Sequence, residues 1–270
     1  MKSATLVLLC FGLAGCGANA TTDSGASASA IVDGSHDTVH TNVGTMVVIA
    51  GANHYRLCSG TLIAPTVFLT ASHCTAAANH YHDTMGFGTG VSFDLIQTQP
   101  STTSTVHTGV AVTNPAWLAE PSTPTSIAKL EKDIGVILLD QPITDLSIAA
   151  LPQADVYGGL AVGTKLTDVG FGVQGTIGAT GRYTEDGERA QTTVSFNALM
   201  GGSKGVAKAY RDVPGGDGTS CNGDSGGPQL YQGKLAGVIV AGDADCANAD
   251  FVSRLDTQAA RNFLGQFLGN

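Results

Sequence analysis

The last of the chain's seven histidines is His107, and that position constrains the possible folds more than any other feature. The segment CNGDSGGP, Cys221 to Pro228, contains Gly223-Asp224-Ser225-Gly226-Gly227. This matches G-x-S-x-G, the strand-turn-helix elbow that exposes the nucleophile of an α/β hydrolase, where the catalytic histidine follows the serine. No histidine follows Ser225, so chain order excludes that fold. Two readings of the segment remain. One is a surface turn built from ordinary turn formers. The other is a sharp bend that holds Ser225 Oγ exposed beside bare N–H groups.

The rest of the chain reads as β-structure. Only 13% of the 270 residues are charged, 43% are apolar and 36 are glycine, a balance that favours strands and turns over a helical bundle. Short β-rich runs recur at Thr45–Ala50, Gly60–Ala64, Val67–Thr70, Val106–Val112, Gly135–Leu139, Thr164–Gly170, Thr192–Phe196 and Leu235–Val240. This spacing predicts an antiparallel sandwich or barrel, not alternating βαβ units. Leu255, Ala259, Phe263 and Phe267 repeat every four residues and predict one C-terminal amphipathic helix with its phenylalanines in the core. The net charge of −9 argues against a nucleic-acid partner, which rewards a positive face.

Lys2 precedes an apolar run, Ala4 to Ala14, too short to span a bilayer. The run ends in Leu13-Ala14-Gly15-Cys16, which resembles the lipobox of bacterial lipoproteins and implies lipidation of Cys16. Cleavage after Ala18-Asn19-Ala20 in ordinary secretion is the competing reading. Both take the protein out of the cytoplasm, either to the periplasm and outer membrane or to the medium. Residues 1–15 are therefore assigned to the signal and 16–30 to a small, polar, non-periodic tether, with one folded unit over 31–270.

Four cysteines remain in that unit: Cys58, Cys74, Cys221 and Cys246. In an exported domain they favour two disulfides over a metal site, and no CxxC spacing supports zinc. Three pairings are possible, of which the local ones, Cys58–Cys74 and Cys221–Cys246, are favoured. Each would contribute roughly 3 kcal/mol in the chain-entropy model.

A hydroxyl nucleophile needs a base, and imidazole suits the task because its pKa lies near neutrality. A buried carboxylate on the far nitrogen fixes the tautomer. His73 follows an apolar strand and adjoins Cys74; Asp133 opens KDIGVILLD directly ahead of a buried-looking run. Singly, the first reads as structural and the second as a strand-end cap. His80, His82 and Asp83 read as a polar loop before Gly86, and no metal or other cofactor is expected.

Taken together, FLTASHC, DIGVILL and CNGDSGGP, in this order and at these separations, resemble the trypsin/chymotrypsin family of serine proteases, as does IVDG at Ile31–Gly34. The resemblance covers residues 31–270. It implies two six-stranded antiparallel barrels, an all-β fold with a C-terminal helix, a boundary near 140–155 and an active site in the cleft between them. It assigns His73 as general base and acid, Asp133 as its orienter and Ser225 as nucleophile, with the N–H groups of Gly223 and Ser225 as the oxyanion hole. The activity implied is serine endopeptidase on polypeptide substrates by a monomer.

The resemblance also implies activation by cleavage before Ile31, whose new α-amino group pairs with Asp224. Ala28-Ser29-Ala30 stands where a basic residue is usual, so the unknown activating protease is expected to prefer small side chains. For the substrate pocket, Thr219 takes the floor position, Val240-Ala241-Gly242 the usual Ser-Trp-Gly wall, and Asp250 a second floor position. Asp250 either recruits Lys or Arg directly or lies shielded by Thr219; small or apolar side chains are the expectation. A catalytically silent binding module and a non-proteolytic esterase are the competing functions.

Overall fold

The computed structural model describes residues 31–94, 105–173, 187–211, 218–243 and 246–269; the signal, the tether and Cys16 lie outside the described residues. After a two-residue strand β1 (Ser35–His36), six strands form the first barrel: β2 (Val43–Ala50), β3 (Asn53–Ala64), β4 (Val67–Thr70), β5 (Gly88–Ser92), β6 (His107–Val112) and β7 (Gly135–Leu139). They run antiparallel in the order β2-β3-β4-β7-β6-β5, and β5 closes on β2 with Thr45 opposite Ser92. Val, Ile and Thr supply the stiff, branched side chains that a pleated surface packs well. Met46, Leu62, Phe68, Val91 and Ile137 are buried inside it, each worth about 2 kcal/mol of apolar transfer.

The second barrel holds β8 (Lys165–Gly170), β9 (Ala190–Met200), β10 (Val206–Arg211), β11 (Pro228–Tyr231), β12 (Lys234–Gly242) and β13 (Ala249–Arg254). Its order is β9-β10-β13-β12-β11-β8, and β8 returns to β9 to complete the ring. Both barrels are thus closed and six-stranded. Closure removes the unpaired edges that would otherwise template aggregation. Residues 140–164 connect the barrels, and Tyr157 from this connector packs against Leu166, Phe196, Ile239 and Val252 in the second core. β1 lies along β9, so the N-terminal segment is lashed to the second barrel. The Asp37–Arg189 ion pair at 2.7 Å and the bridge between Val32 and Thr219 hold it there.

Besides the two-residue β1, four barrel strands lie outside the runs read from sequence. β5 carries two glycines, β11 is short and opens on proline, and β10 and β13 place Lys208 and Asp250 within apolar runs. The segment His80–Asp83 is also not a loop. It forms the last turns of α1 (Ser72–Met85), which ends at Gly86 with φ 70°. Ala76-Ala77-Ala78 supplies strong helix formers, and the left-handed glycine receives the chain end. Two short helices, α2 (Pro115–Ala119) and α3 (Ile127–Leu130), precede Asp133. The C-terminal helix α4 (Gln258–Leu264) buries Ala260, Phe263 and Leu264; it is shorter than the apolar period suggested, although Phe267 still stacks edge-on against Phe263 at 5.3 Å.

Candidate active site

The first barrel presents His73 at the start of α1 and Asp133 just before β7. Asp133 is buried, and it accepts twice from the same residue: His73 N–H donates to Oδ1 at 2.8 Å and His73 Nδ1 lies 2.7 Å from Oδ2. That double contact fixes the ring's orientation. Neighbouring bonds hold the two segments in register. Ser72 Oγ donates to the Ile134 carbonyl at 2.8 Å, and Asn114 Nδ2 donates to the Lys132 carbonyl at 3.1 Å. Crowding around the imidazole opposes its charge, but the charge of Asp133 and its hydrogen bond outweigh this and raise the His73 pKa above its ordinary 6.5. The ring's remaining exposure, 32% of the side chain, leaves it accessible from solvent.

The second barrel presents Ser225 on the turn between Cys221 and Pro228. Two glycines there are sterically required. Gly223 and Gly226 have φ of 97° and 87°, a region that costs other residues strain, and a Cβ on Gly226 would collide with Thr70 and Ser59. The turn docks on the first barrel: Ser59 N–H donates to the Ser225 carbonyl at 2.8 Å. One ring nitrogen of His73 and the sulfurs of Cys58 and Cys74 lie within 4.8 Å of one another, and Cys74 Sγ is 3.8 Å from the Ser225 carbonyl oxygen. Asp133 thus holds His73 on the first barrel, and the turn that carries Ser225 on the second barrel docks against the neighbouring Cys74.

Both local disulfides form. Cys58–Cys74 ties β3 to α1 beneath His73, and Cys221–Cys246 braces the turn that carries Ser225. The Gly223 carbonyl accepts from Ser59 Oγ at 2.8 Å, and Ser59 Oγ accepts from Phe171 N–H at 2.9 Å. Asp224 N–H donates to the Cys221 carbonyl and Gly226 N–H to the Ile239 carbonyl. The N–H groups of Gly223 and Ser225 donate to no acceptor among the described residues. Two adjacent free donors beside a serine hydroxyl are what stabilisation of a developing oxyanion requires.

Asp224 is wholly buried. Its carboxylate accepts from Gly172 N–H at 2.8 Å and Cys221 N–H at 2.9 Å. Burial nevertheless dominates these bonds and pushes its pKa up to about 7. Ile31 is an internal residue of this chain, buried against Ala190, and no hydrogen bond joins it to Asp224 among the described residues. The bridge from Val32 to Thr219 sets Ile31 beside the segment that leads into Asp224.

A cleft of about 260 Å³ opens next to Ser225, lined by Ser220, Asn222, Val240, Ala241, Gly242 and Asp243 among others. Val240 and Gly242 thus face it. Thr219 and Asp250 lie behind the lining: Thr219 Oγ1 donates to the Cys246 carbonyl at 2.6 Å, while Asp250 accepts from both the N–H and the hydroxyl of Ser220. Three contributors were missed in the sequence. Ser59 and Ser220 gave no local signal, being small polar residues. Asp168 did give one, since it shares with buried Leu166 the inward face of β8.

Comparison with known proteins identifies the family and the fold. A family model described as Trypsin matches residues 31–260. The chain is 27% identical over 213 residues to chymotrypsin of Phaedon cochleariae, covering 77% of this chain and 70% of that one. It is 30% identical over 201 residues to brachyurin of Leptuca pugilator, covering 72% and 79%. Human heparin binding protein shares the fold, with a TM-score of 0.62 at 18% identity over 88% of this chain and 96% of its own.

Proposed function

Since the chain belongs to the trypsin family of serine proteases, we propose that it is a serine endopeptidase acting through His73, Asp133 and Ser225. His73 Nε2 takes the Ser225 proton as Oγ attacks the peptide carbonyl, and Asp133 stabilises the imidazolium that results. The carbonyl electrons move onto oxygen, where the N–H groups of Gly223 and Ser225 receive them. Collapse of that intermediate expels the amine, which takes the proton from His73 and leaves an acyl-enzyme. Water repeats the sequence and frees Ser225. The observation that carries this reading is the pair of unused N–H donors at Gly223 and Ser225, on a turn that docks against the barrel whose imidazole is held by a buried carboxylate. A silent binding module is not favoured, because none of the three residues is missing from the chain.

Activation is proposed to follow cleavage between Ala30 and Ile31. Ile31 has φ 69°, a left-handed conformation that costs a β-branched residue on the order of 1–3 kcal/mol. The cut removes the preceding peptide, and the strain with it. The freed ammonium then pairs with Asp224, whose buried charge otherwise lacks a full counter-ion. The same cut would release the enzyme from a lipid on Cys16. Labelling with a serine-directed fluorophosphonate is the test: protein beginning at Ile31 should react, and its Ser225→Ala variant should not. Absence of labelling in the former would overturn the reading.

A further inference from the structure

The two N–H donors of the candidate oxyanion hole belong to the peptides 222–223 and 224–225. A trans peptide points its N–H opposite its carbonyl, so each donor is aimed by whatever holds that carbonyl. Gly227 N–H donates to the Asp224 carbonyl at 2.9 Å, an anchor within the turn itself. The Asn222 carbonyl is held from outside, by Val173 N–H at 2.9 Å, and this bond selects between two forms. Asp224 N–H closes a four-residue turn on the Cys221 carbonyl at 3.0 Å, with Gly223 third in it at φ 97°. A type II turn requires a positive φ there, whereas a type I turn closes with the same bond and a negative φ. The two differ by a flip of the central peptide, which carries the Gly223 N–H to the opposite side. Glycine makes both forms accessible, so the turn alone does not select the hole.

One side chain of the opposite barrel reaches both the turn and the segment that carries Val173. Ser59 is wholly buried on β3. Its Oγ donates to the Gly223 carbonyl at 2.8 Å and accepts from Phe171 N–H at 2.9 Å. Its own N–H donates to the Ser225 carbonyl at 2.8 Å. Arg56, on the same strand, donates from Nη1 to the Phe171 carbonyl at 2.9 Å. β3 thus grips Phe171 at both its N–H and its carbonyl, two residues ahead of Val173. Between them, Gly172 N–H donates to Asp224 at 2.8 Å. The approach there is close: a Cβ on Gly223 would come within 2.9 Å of Gly172 Cα.

We propose that Ser59 is a positioning residue of the oxyanion hole: its hydroxyl ties segment 171–173 to the nucleophile turn and so holds the Gly223 N–H in its donating orientation. A hydroxyl is one donor with acceptor lone pairs, and Ser59 uses both to join a carbonyl of the turn to an N–H of the segment. An apolar side chain cannot make that join. Without the oxygen, the Gly223 carbonyl and Phe171 N–H both lose their partner. The segment then withdraws, Val173 leaves the Asn222 carbonyl, and the flipped turn becomes populated. Because Ser59 belongs to the first barrel, docking of the two barrels becomes a condition for the hole. The inference rests on the serine-protease reading and deepens it. Ser59 meets Ser225 only through the main chain and takes no part in proton transfer.

The test compares protein beginning at Ile31 with its Ser59→Ala and Ser59→Gly variants, and with Thr45→Val as a matched loss. Thr45 is another buried residue of the first barrel, and its Oγ1 donates to the Cys58 carbonyl at 3.0 Å, not to the turn. Both Ser59 variants should lose kcat on the order of 10-fold on peptide amides with KM unchanged, because the hole acts on the transition state. A peptidyl trifluoromethyl ketone isolates the hole. Ser225 Oγ bonds to the ketone carbon, its proton passes to His73, and the ketone oxygen is left as an alkoxide among the donors. Fluorine NMR reads the pKa at which that oxygen takes a proton, and misdirected donors raise it. It should rise in both Ser59 variants and stay at the wild-type value in Thr45→Val. Circular dichroism, with assays well below each melting midpoint, separates loss of fold from loss of the hole. Ser59 variants with wild-type kcat and alkoxide pKa overturn the inference, as does a Thr45→Val variant that shifts both equally. In wild type the Val173 amide should be protected from hydrogen exchange; rapid exchange overturns the inference without any variant. A wild type that neither labels with the fluorophosphonate nor forms the ketone adduct overturns the protease reading, and this inference with it.

Discussion

Asp133 and Asp168 are both buried aspartates in six-stranded barrels, yet they meet different demands. Asp133, at the rim of the first barrel, accepts two N–H bonds from His73. Asp168, inside the second, accepts from Gln229 Nε2 and has Asp250 as an acidic neighbour. The first barrel holds apolar side chains and presents its ionisable pair at the surface of the cleft. The second carries Asp168, Asp224 and Asp250 where no water reaches them. In the proposed mechanism the difference separates labour: the first barrel is the platform for proton transfer, and the second holds the buried carboxyl proposed to govern activation.

The sharpest way to break that comparison is the same substitution in each barrel. Asp133→Asn leaves the packing intact but favours the wrong imidazole tautomer, and kcat/KM should fall about 10,000-fold. An activity within tenfold of wild type would show that Asp133 does not orient His73. The matching Asp168→Asn alters a carboxyl that accepts from Gln229 and touches none of the three proposed catalytic residues. It should lower kcat/KM far less, so the pair of variants reads the two barrels against each other.

A smaller effect should appear in stability. The pKa of Asp224 in the folded chain is raised to about 7 from 3.8, so the folded state holds a proton that the unfolded state releases. Stability of the uncut chain is unaffected by this group below about pH 4, falls as pH rises towards 7, and carries the full penalty above it. The shift corresponds to roughly 4 kcal/mol. Denaturant unfolding at a series of pH values should show this slope in the uncut chain, and a weaker slope in Asp224→Asn and in protein beginning at Ile31. Equal slopes in all three would remove Asp224 from the activation account.

The smallest effect concerns the base. Because Asp133 raises the His73 pKa above 6.5, the acid limb of kcat/KM should have its midpoint above that value, activity growing as the imidazole loses its proton. The ion pair's contribution to stability runs the opposite way: it is present below pH 6.5 and is lost as pH rises through the folded pKa. An acid limb centred below 6.5 would mean that burial, not Asp133, sets the base.

Much of the site was legible because its signals are local. The nucleophile turn is written in adjacent glycines whose backbone angles other residues resist, and His73 sits next to the cysteine that anchors it. Both disulfides close short loops, of 16 and 25 residues. Other features were less visible. β5 and β11 lack the apolar alternation that marks a strand, and the helical run through His80–Asp83 is hidden by its polar residues.

By itself the sequence determined the order His73, Asp133, Ser225, excluded a fold in which histidine follows serine, and placed most strands. Those facts depend on neighbours in the chain. Only the tertiary structure decided that Asp250 lies behind Ser220, not in the cleft, and that Asp168 is its neighbour. The two are 82 residues apart in sequence, on strands brought together by barrel closure. What a buried carboxyl does depends on which donors surround it, and closure alone supplies those donors.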